Sequence, residues 1–184
     1  MTSKKENPSA ILSRNWIIES LLDMLAVKPL SSISISEIAE NAKIDRRTFY
    51  RHFKSKNDVM RYYTYEVSKQ YEEKIVKFNS KNIFSNAKAI FEVLLSMKET
   101  LLILHKQNLL DMFISYFEII CEKYQYKFAE AELLKLEDID YYLAYERGGL
   151  MITVKKWITE GCVYSPDKMG KLFENYYLKL KEYI

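Results

Sequence analysis

Two histidines and two cysteines leave this 184-residue chain little material for catalysis. His52 lies among arginines and tyrosines, His105 has no obvious nucleophile partner, and neither a Gly-rich phosphate loop nor an HExxH pair occurs. Cys121 and Cys162 form no CxxC, so the expectation for each is a small buried apolar residue rather than a disulfide or a zinc ligand. No catalytic residue, metal or cofactor is expected, and a reducing cytoplasm fits this cysteine usage. The chemistry that remains is ionic. Residues 43–56 carry six Lys and Arg against one acid; residues 1–60 hold 10 bases and 7 acids, and residues 61–184 hold 18 of each. The whole formal charge of +3 therefore sits in the first third of the chain. A duplex is a polyanion with a condensed counterion layer, and a cluster of this kind gains affinity by releasing those ions.

The elements that would position the cluster are two short helices. Ser34 and Glu37 form an S-x-x-E capping box at the start of the first. Ile35, Ile38, Ala39 and Ala42 follow at helical spacing and predict one buried face. After a break at Lys43, Ile44 and Asp45, the aspartate caps a second helix from Arg46 to about Phe53. Phe49 and Phe53 are four apart and point inward, which leaves Arg46, Arg47, Thr48, Tyr50 and His52 outward. A face of guanidinium, hydroxyl and imidazole groups is suited to gripping phosphates and reading base edges.

This segment resembles the TetR family of bacterial transcription regulators. The resemblance rests on Ile33 to Ala42, a short turn, and then Thr48-Phe49-Tyr50-Arg51-His52-Phe53 running on to Lys56, Asn57 and Asp58. It implies that Arg46, Arg47 and Thr48 meet bases or nearby phosphates, and that Tyr50 and His52 touch the backbone. It also implies that Lys56 clamps a phosphate at the start of the fourth helix and that Ser36 is a further phosphate donor. Two positions depart from the family pattern: Lys43 stands where the family usually has Gly, and Asp45 where it favours Ser or Thr. The lysine must then adopt a left-handed conformation at some strain.

Around the motif, four Gly and three Pro leave little room for hairpins, and the chain reads as all-α. The first helix is predicted from about Pro8 to Val27, with Ile11, Ile18, Leu21, Leu22 and Leu25 buried. A long helix from Lys56 to about Phe78 then joins the head to a C-terminal helical bundle with patterns near 83–98, 99–107, 109–128, 137–160 and 167–183. The expected organisation is a helix-turn-helix DNA-binding domain over 9–55 and a ligand-binding and dimerisation domain over 56–184. No apolar run approaches the ~18 residues that cross a bilayer, and Lys4 and Lys5 do not open a signal peptide.

A second resemblance, to one TetR subgroup, rests on Gly148-Gly149-Leu150, Trp157, Gly161 and Ser165-Pro166-Asp167. Paired glycines inside a helix suit close approach by another helix, Gly161 suits a left-handed C-cap, and Pro166 suits a first helical position. The stripe Met169, Leu172, Phe173, Tyr176, Tyr177, Leu180 and Ile184 predicts a strongly amphipathic last helix. Gly149, Trp157, Phe173, Tyr176 and Tyr177 are the candidate dimerisation residues. Family members hold a small molecule in the middle region, where Phe91, Phe113, Tyr116, Phe117, Tyr142 and Tyr145 are candidate lining residues and His105 and Glu146 candidate polar contacts. The expected partners are a double-stranded DNA operator, an unidentified small-molecule effector and a second copy of the chain, with no membrane. The leading expectation is a ligand-responsive repressor on a near-palindromic operator. The alternative is a DNA-binding module on the same fold that answers to a protein partner or to no effector.

Overall fold

The computed structural model describes residues 7–75, 82–129 and 138–181, which are helical nearly throughout, with no strand among them. Nine α-helices follow in order: α1 Pro8–Val27, α2 Ile35–Asn41, α3 Arg46–His52, α4 Lys56–Ile75, α5 Ile83–Ser96, α6 Lys98–Lys106, α7 Leu110–Ala129, α8 Ile139–Thr159 and α9 Pro166–Lys181. A 3-10 turn at Leu30–Ser32 joins α1 to α2. The all-α expectation holds, and each predicted helix is present. The expected end of α4 at Phe78 and the stripe member Ile184 lie outside the described residues. The chain divides into two compact units between Tyr63 and Thr64, so the first turns of α4 belong with the head.

The head is built on α1, whose buried face is Ile17, Ile18, Leu21 and Leu25 with Ser13 and Ser20 beside them. The sequence stripe placed Ile11 on that face, but Ile11 is 41% exposed while Ile17 is fully buried. Leu22 is only half-buried, at the margin of the face. Ser20 is a buried polar residue that the periodicity passed over. Its hydroxyl donates to the Ile38 carbonyl at 3.0 Å and accepts from the Asn41 amide at 3.2 Å, tying α1 to the end of α2.

In the second unit the most extensive packing is α5 along α9, and α8 lies against α6 and α7. Phe91 is the hub: it is fully buried, with its ring 5.1 Å from that of Trp157 on α8 and 5.9 Å from that of Phe173 on α9. Along the α7–α8 seam Arg147 pairs with Glu118 and Glu122, and Lys155 pairs with Asp111. The α8–α9 connection is as predicted. Gly161 has φ +83°, the amide of Cys162 donates back to the Trp157 carbonyl at 2.8 Å, and the Ser165 hydroxyl caps α9 through the Lys168 amide at 3.2 Å. Cys121 and Cys162 are both buried, and burial pushes the Cys121 thiol up to about 12, so it is inert as a nucleophile.

Within the chain, a close helix approach falls at Gly170. Among the described residues, nothing beyond their own helix lies within 4 Å of a Cβ built on Gly148 or Gly149, whereas one on Gly170 would sit 2.9 Å from both the ring and the carbonyl oxygen of Phe84. A neighbouring carbonyl cannot rotate out of the way as a side chain can. Gly170→Ala should therefore force α9 off α5 and destabilise the protein by about 1–3 kcal/mol, the usual range for overpacking. A thermal melt of Gly170→Ala that matches wild type would contradict this account of the crossing.

Candidate nucleic-acid interface

The candidate reading helix α3 has only seven residues, so its shape must come from its ends and its buried face. Asp45 adopts extended backbone and its Oδ1 accepts from the Thr48 amide at 2.6 Å, the N-cap predicted from sequence. That hydrogen bond, ahead of the nearby Arg51 charge, holds the Asp45 carboxyl below its usual range. Phe49 is fully buried and Phe53 nearly so, and Phe53 meets Tyr62 of α4 edge-on at 5.6 Å between centroids. These contacts turn the opposite face of α3 outward.

Upstream, α2 starts with a complete capping box: the Glu37 amide donates to Ser34 Oγ at 3.1 Å and the Ser34 amide donates to Glu37 Oε2 at 2.8 Å. The other oxygen of Glu37 accepts from Lys28 Nζ at 2.5 Å, which brings the end of α1 to the start of α2. The Lys28 hydrogen bond, with those of Ser34, lowers the Glu37 carboxyl from 4.5 to about 2. The α2–α3 turn passes through Lys43 at φ +54°, so the lysine does adopt the left-handed conformation the family usually gives to Gly. Its amide donates to Glu40 and that of Ile44 to Ala39, which closes the turn.

The outward face of α3 is an open cleft lined by Asp45, Arg47, Thr48, Tyr50 and Arg51. Arg47 and Arg51 are one turn apart and both exposed, and Tyr50 is 49% exposed. Arg51 was absent from the candidates read from sequence. It occupies the variable place in the Thr-Phe-Tyr-x-His-Phe run, and its spacing of four from Arg47 is the signal that could have found it. Arg46 is exposed at the first turn of α3 and Ser36 at the first turn of α2, while His52 is half-buried beside Phe53.

Lys56 is placed differently from expectation. Its ammonium donates to the carbonyls of Leu30 at 2.6 Å and Ile33 at 2.5 Å, so two of its three donors are used inside the head rather than offered to a phosphate.

The body candidates differ in exposure. Phe91, Phe113 and Phe117 are fully buried, with Phe113 and Phe117 stacked at 6.0 Å, while His105 and Tyr145 are exposed. Tyr116 is half-buried on α7. Tyr142 and Glu146 pair on α8, where burial raises the Glu146 carboxyl and pushes the Tyr142 phenol up to about 12. Of the dimerisation candidates, Trp157 is 3% exposed inside its own chain, its indole donating to the Tyr164 carbonyl at 2.9 Å, and Phe173 packs on Phe91. Gly149 and Tyr176 face outward and Tyr177 is half-buried.

Residues 17–63 match the family profile of bacterial regulatory proteins of the tetR family. Solved structures of the same fold include the dihydroxyacetone kinase operon activator DhaS, with TM-score 0.64 and 18% identity over 92% of this chain and 96% of that one. NalD, the secondary repressor of the MexAB-OprM multidrug efflux pump in Pseudomonas aeruginosa, aligns with TM-score 0.59 and 18% identity over 94% and 97% of the two chains. The fatty acid degradation regulator FadR from Bacillus halodurans aligns with TM-score 0.56 and 15% identity over 94% and 95%. No curated protein sequence matches the chain. The fold and the head together define a DNA-binding transcriptional regulator, and the chain carries the TetR-family helix-turn-helix. No helix of the described residues is long and apolar enough to cross a membrane.

Because Glu37 titrates lower in the folded head than in the unfolded chain, its contribution to stability is present above pH 4.5 and is lost as pH falls toward about 2. Urea unfolding followed across that window should show an acid limb in wild type that Glu37→Gln flattens. An unchanged limb in the variant would place the acid sensitivity elsewhere.

Proposed function

We propose that the protein regulates transcription as a homodimer on a near-palindromic operator, with α3 of each protomer in one major groove and a small-molecule effector acting through the body to release it, as a repressor. The observation that supports the DNA reading most directly is the exposed cleft of Arg47, Thr48, Tyr50 and Arg51, held outward by the burial of Phe49 and Phe53. Arginine grips guanine bidentately in the major groove, so Arg46, Arg47 and Arg51 are the base-reading candidates. Thr48, Tyr50, Ser36 and His52 are the groups for phosphate and register.

Support for the dimer comes from α8 and α9. Tyr141, Tyr145 and Ile152 are 79%, 68% and 69% exposed, and they flank the open Gly148–Gly149 step on one stripe of α8. On α9, Tyr176 is 55% exposed. A two-fold pairing of these surfaces would cover them, with the glycines admitting the partner helix closely. Two heads must then stand about 34–36 Å apart, or a multiple, to enter successive major grooves. An effector that binds the competent and incompetent spacings unequally would shift operator affinity.

A second reading is an effector-independent or protein-controlled regulator. The full burial of Phe91, Phe113 and Phe117, each packed on another ring, favours it over a roomy aromatic pocket. A thermal-shift panel separates the two, since a ligand at 100 times its Kd stabilises by about 2.7 kcal/mol.

Two measurements test the main reading. Arg47→Ala or Arg51→Ala should cost about 1–3 kcal/mol in operator binding and relax preference at one base pair per half-site. If selection from random operators returns the wild-type preference with both arginines removed, α3 is not the reading element. Placing Glu at Tyr145 and Ile152 together should give monomers by light scattering with lost operator binding. A wild-type monomer at micromolar concentration would exclude the dimer.

A further inference from the structure

The geometry points to Lys56 as an internal strut that fixes the α1–α2 connection to the base of α4, a positioning residue for the reading helix rather than a phosphate anchor. Lys56 opens α4, where a cation meets the positive end of the helix and gains nothing from it. Its stem is half-buried, and its ammonium reaches the carbonyls of Leu30 and Ile33, 26 and 23 residues back in the chain. Those carbonyls belong to the 3-10 turn Leu30–Ser32 and its C-cap Ile33; the Leu30 oxygen also accepts from the Ile33 amide at 3.2 Å, so the ammonium adds a second bond to the one that closes the turn. Lysine is suited to this because its three donors radiate from one point and can serve two carbonyls at once.

The position of that turn gives the strut its consequence. Ile33 is buried at 1% exposure, and the next residue, Ser34, opens the capping box from which α2 starts. From α2 the chain passes through the Lys43 turn directly into α3. The base of α4 is itself a fixed point, because the Ser55 hydroxyl accepts from the Asp58 amide at 3.1 Å and the Asp58 carboxylate accepts from the Lys54 amide at 3.0 Å. Lys56 thus joins a rigid helix start to the segment that launches the helix-turn-helix. α4 continues unbroken past Tyr63 into the second unit, so a rotation of α4 about its axis would pull on the launch point of α2.

Lys56→Met in the full-length protein keeps the stem and removes the ammonium. A strut acts in the free protein and a phosphate anchor does not. Amide hydrogen exchange of the DNA-free variant should therefore speed up over residues 33–42, with α5 and α9 unchanged as an internal reference. Operator affinity should fall several-fold more than affinity for unrelated DNA, while the slope of log Kd against log salt stays at the wild-type value. Exchange that is unchanged over 33–42 would overturn the strut, and so would a salt slope reduced by about 1 with equal loss on all sequences, the signature of a lost phosphate contact. The slope arm rests on the DNA-binding reading and the exchange arm does not, so failure of that reading leaves a result that is still interpretable. If Lys56→Met does not fold, folding of Lys56→Arg under the same conditions supports the strut, because deleting a phosphate anchor leaves the free protein folded. Failure of Lys56→Arg as well would overturn the strut, because the guanidinium keeps the charge and the donors that the strut requires.

Discussion

A seven-residue helix has no stability of its own in water, and α3 is the element we propose is presented to DNA. Everything around it compensates for that shortness. Phe49 and Phe53 sink one face into the head, Asp45 closes the first turn, and Tyr62 braces Phe53 from α4. The arginine face is outward because the aromatic face has nowhere else to go. The same division makes the charge tolerable: the cationic residues of α3 stay hydrated until a polyanion replaces the water, and no desolvation cost is met in the free protein.

The polar ties of the head share a purpose. Ser20 to Ile38 and Asn41, Lys28 to Glu37, and Lys56 to Leu30 and Ile33 each join segments that are separated in sequence and adjacent in the fold. Exposed ion pairs contribute little to stability. What such contacts supply is direction, since a hydrogen bond is lost within a few tenths of an ångström or a few tens of degrees. A small domain with an aliphatic core could tolerate several arrangements of three short helices; these contacts select one.

The body works under another constraint. Its core is aromatic and converges on Phe91, with Trp157 and Phe173 closing over it from two other helices. Rings of that size fit only if the backbone comes close elsewhere, and Gly170 provides the place where α9 meets the Phe84 carbonyl. Having spent Trp157 and Phe173 inside, α8 and α9 leave a separate set of tyrosines and aliphatics in solvent. A body that buries Phe91, Phe113, Phe117 and Trp157 yet exposes Tyr141, Tyr145 and Ile152 on one stripe has a face still to be covered.

Local signals settled much of this molecule before any tertiary contact was considered. The capping box at Ser34, the Asp45 cap, the left-handed Lys43, the Gly161 and Pro166 boundaries and the inward Phe49 and Phe53 all depend on residues within one or two turns of each other, so the amino-acid order alone determines them. Contacts across the fold decided the rest. Ile11 follows the helical period but stays 41% exposed, while Ile17 takes the buried place. Trp157 and Phe173 carry the pattern of an interface and are drawn inward onto Phe91, 66 and 82 residues away in sequence. Gly170 looks like any helical glycine until α5 is laid across it. Lys56 belongs to a DNA-binding motif by sequence, yet its ammonium is committed to two carbonyls that folding brings to it. Periodicity shows which face of a helix is apolar; only the packing of other helices shows what that face meets.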